Sequence, residues 1–309
     1  DGEITVVVAN NSVGELLLRE ELIDRYINTG LKSPSYTLMH KMINFKIIYK
    51  FIQTINNYKY DKAFFFEGRP LPITILSIFL NIVDKYGISN YAISSLFLKR
   101  LSVPYHTLHK TLSSLALVSL DVPMNTIEAP KLESFNYIRK DSIKIAVISG
   151  SATFEKAKRL PYSYYDEIIS TVIKQNSSVK FVFFGIEDEK QVLEYIGLEN
   201  KKYIDEYFGQ LTLNQTIEKM AECNIAFGGD SGLMHISASL GLECISVFGP
   251  TLSSWISPIG KNVSILKSTL YCAPCYPNKK FGCIDNKCMY EYSVEYIAEL
   301  LLQKIKSLG

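Results

Sequence analysis

Short apolar runs alternate with helical patterns along the whole chain. In the first half, strand-like runs cover residues 4–9 and 62–66, and helical patterns cover residues 14–28, 72–83 and 106–120. In the second half, strand-like runs cover residues 143–149, 180–184, 225–227 and 244–248, and helical patterns cover residues 164–175, 187–196, 212–221 and 235–240. Such alternation predicts an α/β protein, in which parallel sheets are connected by crossover helices.

Two sheets are expected, because one series of strands ends before a polar, proline-containing stretch and another begins after it. This stretch covers residues 122–139. We place the domain boundary near Tyr137, which gives an N-terminal domain of residues 1–136 and a C-terminal domain of residues 137–309. Open parallel sheets bind ligands beyond the carboxyl ends of their strands, so the loops after the strands are where a site is expected.

The segment Gly228–Pro250 carries the strongest functional signal. An apolar run ends in Gly-Gly-Asp-Ser-Gly at residues 228–232, and a helical pattern that contains His235 follows at once. A strand, tight turn and helix in this order present unpaired backbone N–H groups and a positive dipole end, which suits a phosphate or diphosphate. An Asp-Ser cap on an ordinary helix explains the same spacing equally well.

The order of residues in this segment matches the motif of a known family. Asp-Ser-Gly-x-x-His, followed by Ala-Ser-Leu-Gly and Val-Phe-Gly-Pro-Thr, resembles the nucleotide-sugar site of glycosyltransferase family 9, the bacterial heptosyltransferases. The resemblance is strong over residues 209–289 and weaker before Tyr137. It implies a GT-B architecture, in which two Rossmann-like domains face a central cleft, with the acceptor on the N-terminal domain and the nucleotide sugar on the C-terminal domain. It also implies an inverting transfer that requires no metal or other cofactor.

The resemblance assigns nucleotide-sugar contacts to loops of the C-terminal domain. Lys158 matches the family lysine that contacts the phosphate next to the departing bond, although Leu160 replaces the usual Trp and Ser149 the usual Pro. A solvated surface lysine is the alternative. Glu189 best matches the glutamate that accepts from ribose hydroxyls, while Glu187, or a plain acidic helix start, stays open. The predicted nucleotide-sugar residues are Ser151, Lys158, Glu189, Asp230, Ser231, Gly232 and His235.

A carboxylate follows the first strand at the position of the family's general base. The family has Asp there, and this chain has Glu15, whose extra methylene moves the carboxylate by roughly an ångström. Glu15 and Lys158 are the predicted catalytic residues. A first-turn helix glutamate that complements the helix dipole is the alternative for Glu15.

Basic residues in the N-terminal domain predict an anionic acceptor. Heptosyltransferase acceptors carry carboxylates and phosphates, which paired Arg and Lys side chains bind well. The alternative is a solvated basic face. The predicted acceptor-binding residues are Arg69, Lys99, Arg100 and His106.

Four cysteines lie close together in the segment 270–289. In a chain with no visible secretion signal, such thiols favour a structural Zn or Fe over disulfides. The spacing differs from that of a common zinc finger, so a loop without metal stays open. The predicted ligands are Cys272, Cys275, Cys283 and Cys288.

Composition restricts the remaining function classes. The chain has 309 residues, 47% hydrophobic and 21% charged, with a net charge of +2, which is typical of a globular protein large enough for two cores. The near-neutral charge argues against a nucleic-acid partner. No apolar run is long enough to span a bilayer. A cytoplasmic location is expected, and any membrane contact is expected to be peripheral, at the inner face of the bacterial inner membrane.

The resemblance therefore implies an inverting glycosyltransferase. Its expected donor is a nucleotide sugar, ADP-heptose first, and its expected acceptor is a lipopolysaccharide core, another surface glycan or glycolipid, or a protein. Two alternatives remain open. One is another GT-B sugar-nucleotide enzyme, such as an epimerase or hydrolase, and the other is a noncatalytic protein that binds a sugar nucleotide or a metal.

Overall fold

The described part of the chain divides into two compact units, Asp1–Ile127 and Glu128–Gly309, and each is treated by itself. The predicted boundary near Tyr137 falls within the second unit and stays a prediction. Side chains at residues 38–46, 100 and 153–155 are outside the description. The computed structural model describes residues 2–8, 10–29, 38–66, 76–88, 96–101, 109–118, 129–135, 142–151, 153–276 and 285–308.

The first unit contains two small parallel sheets. One sheet pairs β1 with β2, and the other has the order β3-β4-β5. Helix α1 connects β1 to β2, and its buried Gly14 lets it pack closely on Tyr26, whose ring would lie 2.3 Å from an added Cβ. The elements are β1 (Thr5–Val8), α1 (Asn11–Arg19), β2 (Arg25–Asn28), α2 (Leu38–Asn57), β3 (Lys62–Phe65), β4 (Asp84–Ile88), β5 (Lys99–Leu101) and α3 (Lys110–Val118).

The second unit is built on a six-stranded, fully parallel sheet with the order β11-β10-β9-β6-β7-β8. The chain adds strands outward from β6 in one direction and then, from β9, in the other. The central strands are buried along nearly their whole length, which explains their continuous apolar sequences. The strands are β6 (Lys144–Ile148), β7 (Lys180–Gly185), β8 (Ile204–Phe208), β9 (Ile225–Gly229), β10 (Glu243–Phe248) and β11 (Val263–Lys267).

Helices connect these strands and share one apolar core with the sheet. The core joins Ile168 and Val172 of α4 to Ile297 and Leu301 of α9, and burying each such side chain stabilises the fold by about 1.5–3 kcal/mol. The helices are α4 (Tyr162–Gln175), α5 (Leu198–Lys201), α6 (Leu213–Met220), α7 (Gly232–Ser239), α8 (Ser253–Ile256) and α9 (Val294–Ser307), with 3-10 helices at Thr153–Lys158, Glu187–Tyr195 and Lys287–Met289.

The main differences from the sequence-based elements lie in the first unit. The helix predicted over residues 14–28 is wrong in its second half, because α1 ends at Arg19 and Arg25–Asn28 is a strand. Glu21 takes a left-handed φ of 54° at the turn, and pairing with β1 then overrides the local helical preference. Within the described ranges, no helix has both the length and the apolar character needed to cross a membrane.

Candidate active site

The strand order reverses between β6 and β9, which makes the carboxyl ends of these two strands the switch point of the sheet. These two strands are neighbours, but the connection after β6 leads toward β7 and the connection after β9 leads toward β10. Ligands of doubly wound sheets bind at such a point. Backbones also approach closely here, since a Cβ on Gly228 would lie 2.3 Å from the Ile148 carbonyl oxygen and one on Gly229 would lie 2.6 Å from that of Lys158.

A buried ion pair joins the segment after β6 to the turn after β9 at this switch point. Lys158 Nζ lies 2.8 Å from Asp230 Oδ2, and the two side chains are only 8% and 6% exposed. Asp230 Oδ2 has no hydrogen-bond partner among the described residues, so the contact is an ion pair without hydrogen-bond geometry. Its burial excludes the interpretation of Lys158 as a solvated surface charge. The pair places one cation and one anion side by side at the carboxyl edge of the sheet.

The start of α7 lies next to this ion pair, and the side chain of its N-cap residue does not cap the helix. Ser231 is the N-cap residue, yet its side chain makes no capping hydrogen bond, and its hydroxyl has no partner among the described residues. A Cβ added to Gly232 would meet no atom within 4 Å. The simple Asp-Ser cap is therefore not what the structure contains, and the first N–H groups of α7 stay available to an anion. His235 is exposed one turn further along the helix.

Glu189 is held between two glycines. A Cβ on Gly150 would lie 1.8 Å from the Glu189 carboxyl carbon, and one on Gly185 would lie 2.3 Å from Oε2. The Ile186 N–H donates to Oε2 over 3.1 Å. Burial raises the pKa of Glu189, whereas this hydrogen bond and the Arg159 guanidinium oppose the shift. Glu187, the alternative ribose ligand, is exposed and lies beside Gly209.

Arg159 is a member of this site that is not among the residues predicted from the sequence. Its Nη2 donates to the Ser151 carbonyl oxygen over 2.7 Å, and its Nε donates to the Ser151 hydroxyl over 3.4 Å. These two hydrogen bonds hold Ser151 against Arg159, the residue that follows Lys158. The signal that could have found Arg159 is the pair of consecutive basic residues that precede a buried Leu160.

In the first unit, Glu15 is exposed on α1. The helix begins at Asn11, and the side chain of Asn10 caps it by accepting from the Ser12 N–H over 3.0 Å. Glu15 thus lies in the second turn, and the first turn contains no acidic residue, which disagrees with the dipole alternative. Its role as the catalytic base stays a prediction.

Of the four predicted acceptor residues, only Lys99 has a described side chain. Its Nζ lies 2.8 Å from Asp84 Oδ1 and donates to the Tyr86 hydroxyl over 3.2 Å. The ion pair makes Lys99 less suited to an anionic acceptor than the sequence alone suggested. Arg100 lies in β5, but its side chain is outside the described set, as are Arg69 and His106 entirely. Acceptor binding by these residues stays a prediction.

The cysteine prediction is not supported by the described residues. Among them, no three His, Cys, Asp or Glu side chains form a group that could hold a metal ion. Cys272 is exposed and Cys288 is buried next to Gly249, while the Cys275 thiol donates to the Pro250 carbonyl oxygen over 3.7 Å. The three described cysteines of the set therefore do not form a metal-binding group, and two of them, Cys275 and Cys288, pack against the turn after β10. Cys283, the fourth predicted ligand, lies outside the described residues.

A family model and related sequences both match this chain to one family of enzymes. The family model for glycosyltransferase family 9 (heptosyltransferase) matches residues 48–284. The lipooligosaccharide heptosyltransferase 2 of Haemophilus influenzae is 28% identical over 119 residues, which is 38% of this chain and 34% of that protein. The corresponding enzyme of Campylobacter jejuni is 27% identical over 167 residues, 52% of each chain. The chain thus aligns with about a third to a half of the length of these relatives.

Solved structures share the fold. E. coli ADP-heptose lipopolysaccharide heptosyltransferase II superposes with a TM-score of 0.74, 16% identity, and coverage of 99% of this chain and 91% of that one. An E. coli heptosyltransferase with ADP gives a TM-score of 0.70 and 16% identity, with coverage of 98% and 90%. At this identity the likeness concerns the fold, and it confirms the predicted α/β GT-B class.

Proposed function

The chain belongs to glycosyltransferase family 9, and on that premise we propose that it transfers a sugar from a nucleotide-sugar donor to a surface-glycan acceptor. The proposed donor is ADP-heptose, and the proposed acceptor is a lipopolysaccharide core. Another surface glycan, a glycolipid or a protein is the alternative acceptor. The observation that carries the proposal is the uncapped start of α7 beside the buried Lys158–Asp230 pair. A cytoplasmic location belongs to the same proposal.

The diphosphate of the donor fits the chemistry of this loop. The first N–H groups of α7 point outward from the helix start, and Gly232 leaves the space above them open. Lys158 supplies a cation that neutralises the charge developing on the nucleoside diphosphate as it departs. Glu189 supplies a carboxylate for ribose hydroxyls, and His235 extends the polar surface along α7.

The proposed reaction is a direct displacement at the anomeric carbon. A bond forms between the acceptor oxygen and the anomeric carbon while the bond from that carbon to the diphosphate oxygen breaks, so the configuration inverts. Glu15 takes the proton of the acceptor hydroxyl. The electron pair of the broken bond stays on the diphosphate oxygen, where Lys158 and the N–H groups at the α7 start stabilise the negative charge.

The experiment measures nucleotide binding first and transfer second. Thermal unfolding with ADP, UDP and GDP should show selective stabilisation by one of them, about 2.7 kcal/mol at a hundredfold excess over Kd. Purified ADP-heptose and a heptose-deficient lipopolysaccharide then test transfer. Lys144→Ala, which breaks an ion pair with Glu222 at the start of β6, is the matched control for Lys158→Ala.

The outcomes separate the function classes. Release of ADP together with sugar on the acceptor supports the proposal. Conversion or hydrolysis of the nucleotide sugar without any acceptor would favour the other GT-B enzymes, and binding without turnover would favour a noncatalytic role. A protein stabilised by none of the nucleotides would contradict the proposal at its first step.

A further inference from the structure

The guanidinium of Arg159 contacts two of the loops that line the proposed donor site. Besides the two bonds to Ser151, Nη1 donates to the Tyr162 hydroxyl over 3.0 Å, and Nη2 lies 3.6 Å from Glu189 Oε1. The Arg159 side chain is only 10% exposed. One largely enclosed cation therefore connects the loop after β6, the start of α4 and the segment after β7.

Arg159 faces the Glu189 carboxylate and favours its ionised form. Glu189 is enclosed by Gly150 and Gly185, and its side chain is 8% exposed. Among the described groups facing it, the Ile186 N–H and Arg159 favour the ionised form, whereas Asp188 disfavours it. Tyr165, buried close by, stays neutral because burial raises its pKa.

The geometry also leaves Glu189 able to accept further hydrogen bonds. An ionised carboxylate has about four acceptor positions. The Ile186 N–H uses one position on Oε2, and Arg159 faces Oε1. Both oxygens thus keep capacity for sugar hydroxyls, provided that the group stays charged and oriented.

We infer that Arg159 is a positioning residue of the nucleotide-sugar site, which holds the Glu189 carboxylate and the Ser151 loop in the arrangement that binds the donor. This inference rests on the proposed function. A planar, forked guanidinium is required, because its three nitrogens together contact Ser151, Tyr162 and Glu189, which lie on three separate segments. Lysine, with one nitrogen on a flexible stem, cannot make these contacts together.

The test measures ADP affinity by calorimetry from about pH 5 to 8, because burial raises the pKa of Glu189 above its ordinary value of 4.5. Arg159→Met should weaken ADP binding at pH 7 by about tenfold or more. It should also move the acid loss of binding to higher pH, because without its cation the carboxylate takes up a proton more readily. Arg159→Lys should restore only part of the affinity. Lys156→Met, at an exposed position of the 3-10 helix that ends just before Arg159, is the matched control and should bind like wild type.

A double-mutant cycle separates positioning from a general structural role. Glu189→Gln should bind ADP weakly and without the acid-side loss, and adding Arg159→Met to it should change the affinity far less than in wild type. An equal effect in both backgrounds, or an Arg159→Met profile identical to that of wild type, would overturn the inference. If Arg159→Met fails to fold, the same comparison with Arg159→Lys decides. Failure of wild type to bind any nucleoside diphosphate would instead overturn the proposed function and the inference with it.

Discussion

Gly232 offers the sharpest test of the proposed donor site, because its substitution should affect folding and binding in opposite directions. It is the first residue of α7, and an added Cβ would meet no atom within 4 Å. Its φ lies outside the left-handed range, so alanine fits without strain. Gly232→Ala should therefore stabilise the unbound protein by about 0.4–1 kcal/mol, chiefly by restricting the unfolded chain. That corresponds to a rise in Tm of about 1–4 °C.

Binding of the diphosphate should respond the other way. A methyl group at this position occupies the open space through which a phosphate reaches the first N–H groups of α7. Loss of one charge-assisted hydrogen bond costs about 1.5–3 kcal/mol, which is roughly a 10- to 150-fold loss of affinity. Gly232→Val, which fills more of the same space, should bind ADP more weakly than Gly232→Ala.

Calorimetry with ADP and thermal unfolding without ligand measure the two effects separately. Gly197→Ala is a matched control, since its Cβ would make only an ordinary 3.5 Å contact with Asp166. Gly228→Ala is the opposite control, because a Cβ 2.3 Å from the Ile148 carbonyl oxygen should destabilise the fold itself. If wild type binds ADP and both Gly232 variants bind it equally well, the diphosphate does not approach the α7 start and the reasoning is refuted.

Three further predictions concern catalysis and stability. Lys158→Ala should lower turnover by about tenfold or more, and it should destabilise the fold by roughly 3–5 kcal/mol because it leaves a buried carboxylate unpaired. Steady-state kinetics and denaturant unfolding measure the two effects, and Lys144→Ala, at a more exposed ion pair, should show neither. Equal effects of Lys158→Ala and Lys144→Ala would contradict this prediction. Glu15→Gln should reduce transfer by about 10²–10⁴-fold with unchanged ADP affinity, whereas Glu15→Asp should keep substantial activity; wild-type rates in Glu15→Gln would place the base elsewhere. Hydrogen bonds from the Ser268 and Thr269 hydroxyls lower the pKa of Glu291, so its stabilising contribution is full above the ordinary value of 4.5 and is lost as pH falls below it. Glu291→Gln should therefore flatten the acid limb of a Tm-against-pH curve, and an unchanged limb would exclude this contribution.

Much of the second unit could be predicted from the sequence, because its central strands are buried along nearly their whole length. β6, β7, β9 and β10 are continuous apolar runs, and each predicted run corresponds to an observed strand. The edge strands β8 and β11 were missed, since partial exposure gives them mixed sequences with no clear period. In the first unit, β2 was missed for a related reason, as its strand state depends on pairing with β1.

The site divides in the same way between sequence and tertiary structure. The motif at residues 228–235 by itself indicated a strand, a tight turn and a helix start, because an apolar run ends there in glycines that permit a sharp turn and a helical pattern follows at once. Only the sheet order brought Lys158 against Asp230 and Arg159 against Glu189, since these loops are far apart in the chain and meet only at the carboxyl edge of the sheet. These charged side chains are buried and paired only because the folded sheet brings the loops together at this edge. Their burial and pairing therefore could not be predicted from sequence spacing.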